Sequence, residues 1–528
     1  MYKTIIKNGI LIDGTGALQK HADIALDNEK IIEIGDLHDE KAKNIIDAQG
    51  MYVTPGFVDI QNHSDAYLAF FDNPQFENLV AQGITTIIVG NCGASLAPLL
   101  SRDALLAVQK WHNVQGVNTN WISFNEYLDE IGKKTYGTNV GSLVGYSTLR
   151  RGIIGDELRS LKPDELTQII HTFRQSMKDG AFGLSSGLSY AHEAIIGESE
   201  LLVLAEVVAE EQGLFSVHLR SEAAEVMESL AEALNFAVKA KQTNRSLNLK
   251  ISHFKVRGKN NWHLLPHAIE QLENFYQKLG NIHFDLYPYD FTWQVLYGYL
   301  PRWSYEGGRE MLIRNLKDPL KRAKIIAYLN SKDINYSELY IASTALVMNV
   351  AGKRIGEIAA KHETSSEEAL LAIIENGGSD ILAFEQNIDS KQVEELLIHP
   401  LAMVSTDGSA FGPENTVTQD LVHPRCFGTM PAFLQFALQK KTIAIEEAVH
   451  KITGIPAGKV GLKDRGTLKV GNFADITIFS PEVAAHATMQ DPFRFPTGIE
   501  YVFTNGEMTV EKGKHTGVLP GLVLRKVN

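Results

Sequence analysis

The sequence predicts an α/β fold. It reads as a (β/α)8, TIM-like barrel, a β domain shared by the two termini, and an inserted subdomain before the last barrel strand. Three observations carry this. Helical apolar periods that end in glycine alternate with short apolar strands through the middle of the chain, and eight such strands can be counted. Both ends instead show alternation with period two, broken by turn dipeptides. A long aromatic-rich segment, residues 288–345, separates the last two strands. The expected division is therefore 1–54 plus 460–528 for the discontinuous β domain, 55–459 for the barrel, and 288–345 for an insertion within it.

At the N-terminus, TIIKNGILID and ADIALDNEKIIEIG alternate apolar and polar positions, with turn signals at Asn8-Gly9, Asp13-Gly14 and Asp27-Asn28, and read as short antiparallel strands. The texture returns in GTLKVGNFADITIFS and GIEYVFTNGEMTVEKG, with Asn505-Gly506 as a hairpin signal. The barrel strands are GFVDIQ, TTIIVG, VGSLVGY, AFGLSS, LFSVHL, LKISHF, IHFDLYPY and LAMVSTD. Helical stretches fall between them. After Pro163, the residues Leu166, Ile169, Ile170, Phe173 and Met177 share one face and the period stops at Gly180; residues 198–212, 221–241 and 264–279 repeat the plan. The insertion opens with YPYDFTWQVLYGYLPRWSY, either a lid or pocket wall, or a packed surface subdomain.

Composition narrows the function classes. Of 528 residues, 50 are Lys or Arg and 63 are Asp or Glu, a net charge of −13 that argues against a nucleic-acid surface. A hydrophobic content of 44% suits a large soluble core. No apolar run approaches the ~18 residues of a membrane span, and MYKTIIKNGILIDGTG lacks a secretory apolar stretch, so a cytoplasmic protein without a membrane partner is expected. Two cysteines, Cys92 and Cys426, are too few for a disulfide framework, so any special role is chemical.

Barrel active sites lie where strands end and the following loops begin. The polar residues at those ends are His63, Cys92, His218, His253, Tyr287 and Asp407. Cys92 in VGNCGAS, His218 in FSVHLRSE and His253 in ISHFKVRG supply a thiolate and two imidazoles, a set that suits Zn²⁺ with the fourth position open. Asp407 in STDG is either a general base or the cap of an Asp-Gly turn. Period two places Lys255 and Arg257 with His253, and Tyr287 and Tyr289 with Asp285, provided the strands run that far. Arg425 in HPRCFGT offers a guanidinium fork that fits a carboxylate.

In order, DGTG, VTPGFVDIQNHSD, VGNCGAS, GYSTLRRGIIG, GAFGLSSGLSY, HLRSE, ISHFK, DLYPY, STDG, HPRCFGT and GNFADITIF resemble the N-acyl-D-amino-acid deacylases (D-aminoacylases) of the amidohydrolase superfamily, nearly end to end. The specific part is the Cys of GNCG followed by HLRSE, SHFK and HPRxxGT, because most amidohydrolases bridge two metals with a carboxylated lysine where this group uses the cysteine. The resemblance implies a β-sandwich from both termini beside the barrel. It implies a hydrolase that frees a D-amino acid from a small N-acyl-D-amino-acid substrate, with one tightly held zinc on Cys92, His218 and His253. It makes Asp407 the catalytic base, and assigns substrate binding to Lys255, Tyr287 and Arg425, with Arg425 facing the α-carboxylate.

Two departures stand out. The family's His-x-His after the first strand reads Gln61-Asn62-His63, so His63 keeps the weaker second metal position while Gln61 replaces a ligand there, which argues against a two-metal centre. After DLYPY, DFTW replaces a small Ser-rich stretch, so Thr292 or Trp293 stands where side-chain selectivity is set. The alternatives are a related enzyme for D-residue dipeptides or cyclic amides, and a catalytically silent metal-binding relative.

Overall fold

Two parallel sheets lie at the centre of the chain in the computed structural model, which describes residues 1–108, 114, 119–243, 245–305, 308–343, 350–378, 381–412 and 420–527. The smaller joins Phe57–Asp59, Ile84–Val89 and Asn139–Ser142. The larger runs through Val144–Gly145, Gly183–Gly187, Leu214–His218, Asn248–Ile251, Ile282–Leu286 and Ala402–Val404. All eight strand segments read from the sequence are present, in chain order and mutually parallel. Leu143 bridges the two sheets, its N–H donating to Val89 O at 2.9 Å. Among the described residues, the first and last strands meet through the Asn62–Gly408 bridge and a hydrogen bond from His63 N to Gly408 O at 2.8 Å. A short network reinforces this: Asp59 accepts from Asn62 Nδ2 at 2.8 Å and from Thr406 N at 2.9 Å.

The helices cover these sheets for the reasons the sequence suggests. Pro163–Lys178 starts with Pro at its first position and Asp164 and Glu165 in its first turn, where missing N–H partners and the helix dipole favour them. It buries Ile169, Phe173 and Met177, spaced by four, and the chain then turns at Gly180 with φ +113°. Truncating Phe173 to alanine would cost about 3–5 kcal/mol. Glu198–Glu210, Val226–Gln242 and Leu265–Leu279 repeat the arrangement. The second of these begins five residues later than the periodicity predicts, which leaves 221–225 as a loop.

At the termini the expectation of antiparallel strands holds only in part. Tyr2–Lys7 pairs antiparallel with Asp23–Asp27 but parallel with Ala42–Asp47, and Ile10–Leu11 runs parallel to Tyr52–Val53. The physical reason is that Asn8-Gly9 does not close a hairpin: it passes the chain from one sheet to another. Asp27-Asn28 and Asn505-Gly506 do close hairpins, pairing Asp27 with Lys30 and Thr504 with Glu507. Strands from both ends share one seven-stranded sheet.

Before the last parallel strand, Thr292–Val295, Leu382–Glu385 and Tyr340–Ser343 form a separate antiparallel sheet. A distinct apolar cluster beside it runs from Leu296 to Ala383, with helices Ile355–Lys361 and Ser366–Gly377 contributing. Of the segment 288–345, residues 306, 307, 344 and 345 lie outside the described ones. No helix among the described residues is long and apolar enough to cross a membrane.

Candidate active site

Cys92, His218 and His253 come together at the ends of three parallel strands, buried, with their ligand atoms within 4.8 Å of one another. Cys92 Sγ lies 3.5 Å from His253 Nε2, and the rings of His218 and His253 meet edge to face at 4.4 Å. A second group, His63, Cys92 and Asp407, satisfies the same distance limit and shares the sulfur. Both groups open on a cleft of about 430 Å³, which Lys255, Tyr287 and Arg425 also line.

Three of these residues have left-handed backbone: Cys92 (φ 52°), His253 (φ 36°) and Asp407 (φ 46°). Such conformations are uncommon outside glycine and collect at functional sites. They explain why strand periodicity misplaces the side chains. The strands stop at Ile251 and Leu286, before His253 and Tyr287, so period two does not extend to Lys255 or Arg257 as read. For Cys92, small neighbours are required. A Cβ on Gly93 would collide with Glu193 and would meet Gly187 N at 2.9 Å, at a φ of +77°.

Lys255 and Arg257 still converge with His253, on a residue that the sequence reading passed over. Glu222, from the loop 221–225, accepts from His253 Nδ1 at 2.9 Å and Lys255 Nζ at 2.6 Å, and pairs with Arg257 Nε at 3.2 Å. Its place four residues after the strand-end His218, in HLRSE, was the available signal. A carboxylate behind a ligating imidazole fixes the ring and its tautomer. Ser189 does a similar service for His218, with Oγ 2.8 Å from Nε2.

Asp407 lies between His63 Nε2 at 3.0 Å and Arg425 Nη1 at 2.8 Å. Arg425 also stacks over Tyr287, 4.6 Å from the ring centre, and its buried Nε makes no hydrogen bond. Gln61 donates to Cys92 Sγ at 3.2 Å and to Asp407 Oδ1 at 3.4 Å. Thr292 and Trp293, from the departing DFTW stretch, line the cleft, with Trp293 stacked on Tyr67 at 5.7 Å.

Electrostatics favour a thiolate beside a carboxylate. Burial opposes ionisation of Cys92, but the imidazoles of His218, His253 and His63 around it outweigh this and hold the thiol well below its ordinary value. Asp407 is likewise held low against burial, by Arg425, His253 and His63. Burial and the neighbouring His253 push His218 down, keeping that ring neutral. Its buried Nδ1 makes no hydrogen bond. A thiolate, a neutral imidazole with an unused nitrogen and a second imidazole backed by a carboxylate fit a zinc ion. Cys426 differs: burial pushes its thiol up to about 12, and it packs against Phe411 and Phe427.

The chain is similar to several known proteins. A family model described as "Amidohydrolase family" matches residues 379–510. A D-aminoacylase from Alcaligenes xylosoxydans xylosoxydans is 27% identical, with 99% of this chain and 98% of that one covered. The solved N-acyl-D-glutamate deacylase from Bordetella bronchiseptica, complexed with zinc and a phosphonate mimic of the tetrahedral intermediate, superposes with a TM-score of 0.82 at 26% identity, covering 99% of each chain. A D-aminoacylase structure addressing its binuclear metal centre, with one-metal activation and second-metal attenuation, gives 0.81 at 26% identity over the whole of both chains. The chain is thus similar over its whole length to D-aminoacylases and N-acyl-D-amino-acid deacylases, and its residues 379–510 match the amidohydrolase family model.

Proposed function

We propose that this protein is a zinc-dependent hydrolase that cleaves the amide of N-acyl-D-amino acids, releasing a carboxylate and a free D-amino acid. The observation that carries the reading is the buried Cys92, His218 and His253 cluster, with Asp407 in the same cleft. Cys92, His218 and His253 hold one zinc tightly, and the His63 side of the centre is the weaker position. Zinc there supplies Lewis acidity, polarising the scissile carbonyl and lowering the pKa of water.

Asp407 accepts the proton of the attacking water on a carboxylate oxygen and returns it to the departing nitrogen. Its low affinity for protons keeps it ionised and ready. Arg425 holds Asp407 with one nitrogen and offers its remaining donors, including the unused Nε, to the substrate α-carboxylate. Tyr287 and Lys255 stand on the cleft wall as donors to the carbonyl oxygen, and Glu222 keeps Lys255 in place. The scaffold is a (β/α)8 barrel over residues 55–459, with 1–54 and 460–528 forming a β-sandwich and 288–345 an inserted wall of the cleft. We place the protein in the cytoplasm, where reducing conditions keep Cys92 unoxidised.

The test counts zinc per chain and assays the same sample on N-acetyl-D- and N-acetyl-L-amino acids. One zinc with D-selective deacylation supports the proposal, and a zinc-replete protein that hydrolyses none of the panel overturns it.

A further inference from the structure

Beneath the metal-ligating cluster lies a fully buried ion pair that the proposed reaction does not use. Lys250, on the strand Asn248–Ile251, and Asp285, on the neighbouring strand, meet at 2.8 Å with neither side chain exposed. Asp285 also accepts from Ser405 Oγ. The second acceptor of Lys250 Nζ is Gln61 Oε1. Buried charge in such a place is costly unless fully paired, so this ammonium is fixed in position.

The contact decides which way the Gln61 amide faces. An ammonium has donors only, so the Gln61 carbonyl oxygen must face it, and the NH₂ must face the opposite way. Opposite are Cys92 Sγ and Asp407 Oδ1, at 3.2 and 3.4 Å, two members of the His63, Cys92 and Asp407 group. At that position the chain therefore presents N–H protons rather than lone pairs. A cation between His63, Cys92 and Asp407 would meet those protons, with the Lys250 charge behind them, and the one oxygen that Gln61 could offer it is already occupied.

We propose that Lys250, acting through Gln61, excludes a second metal ion from the His63 side of the centre, so that the protein holds one ion however much is supplied. Gln61 takes over part of what a second ion would do, by donating to Cys92 and Asp407 and keeping both in place. Lys250 and Gln61 are positioning residues in this account. The inference rests on the proposed zinc site, and its failure is separable from failure of that site.

The experiment measures bound zinc per chain by equilibrium dialysis of the full-length protein, from micromolar to millimolar free zinc, alongside hydrolysis rates. The wild type is expected to saturate at one ion and to keep its rate across the range. Gln61→Glu restores an oxygen donor and leaves the Lys250 and Asp285 pair intact, and it is expected to take up a second ion at least about tenfold more tightly than the wild type. Lys250→Met with Asp285→Asn frees the amide to turn its oxygen toward the cluster, and should also admit a second ion. Two ions of similar affinity in the wild type, or no second ion in either folded variant, overturn the proposal. A wild type that binds no zinc at all overturns the underlying site instead.

Discussion

Replacing Glu222 by glutamine tests how the site is held together. The carboxylate accepts from His253 Nδ1 and Lys255 Nζ at 2.9 and 2.6 Å and pairs with Arg257 Nε at 3.2 Å. Burial would raise its pKa, but Lys255, His253 and Arg257 hold it well below the ordinary range, so it is a full negative charge. Glutamine keeps one acceptor oxygen but removes the charge that orders three partners. Loss of a partner behind a ligating histidine typically costs ~10–100-fold in metal affinity. At ~1.4 kcal/mol per decade this is about 1.4–2.7 kcal/mol. The three donors left together add a stability cost of up to ~3–5 kcal/mol, the range for breaking a buried ion pair. Competition with a chromophoric chelator measures the zinc affinity, and thermal denaturation verifies that the variant folds. A folded Glu222→Gln protein whose zinc affinity stays within threefold of the wild type would refute the reasoning that Glu222 acts through His253.

Asp407→Asn should keep its zinc, because Cys92, His218 and His253 are untouched, yet lose ~10²–10⁴ in kcat, the usual worth of general acid–base catalysis; normal turnover removes Asp407 from the base role. Arg425→Lys should lower kcat/KM by about 10–100-fold for substrates with a free carboxylate, in line with ~1.5–3 kcal/mol for a charge-assisted hydrogen bond, and far less for the corresponding methyl esters. Equal losses on acids and esters would show that Arg425 serves Asp407 alone. Away from the site, burial and nearby Lys459, Lys451 and His450 push the His283 pKa down to about 3. The unfolded chain therefore binds a proton near pH 6.5 that the folded chain refuses, so this contribution to stability is complete above pH 6.5 and fades at up to ~1.4 kcal/mol per pH unit as the pH falls toward 3. Denaturant titrations of His283→Asn should show a shallower pH dependence over that window, and an unchanged slope would remove His283 from the acid response.

Much of this organisation is legible in the chain because strand, helix and turn signals agree locally. LFSVHL and IHFDLYPY announce strands through apolar runs, and Gly180 ends its helix as expected. Pairing direction at the N-terminus is not legible, because a short half-buried strand carries no mark of which neighbour it meets: Tyr2–Lys7 finds one antiparallel and one parallel partner. At the site, residue types pointed to the cluster of Cys92, His218 and His253 that the fold brings together, since a thiolate and imidazoles at strand ends have few other uses together. What the sequence hid is set by geometry after the strands stop. His253 turns into left-handed backbone, which brings Lys255 and Arg257 to Glu222 by a loop path rather than by strand alternation. The Lys250 and Asp285 pair was equally hidden, because a lysine inside an apolar strand gives no sign of which charge on a neighbouring strand will meet it.

The proposed metal site is a thiolate and two imidazoles, Cys92, His218 and His253. X-ray absorption at the zinc edge of the loaded protein tests it most directly. One sulfur scatterer near ~2.3 Å with nitrogen or oxygen neighbours near ~2.0–2.1 Å is expected, with loss of the sulfur shell in Cys92→Ser. A zinc environment without sulfur in the wild type would contradict it.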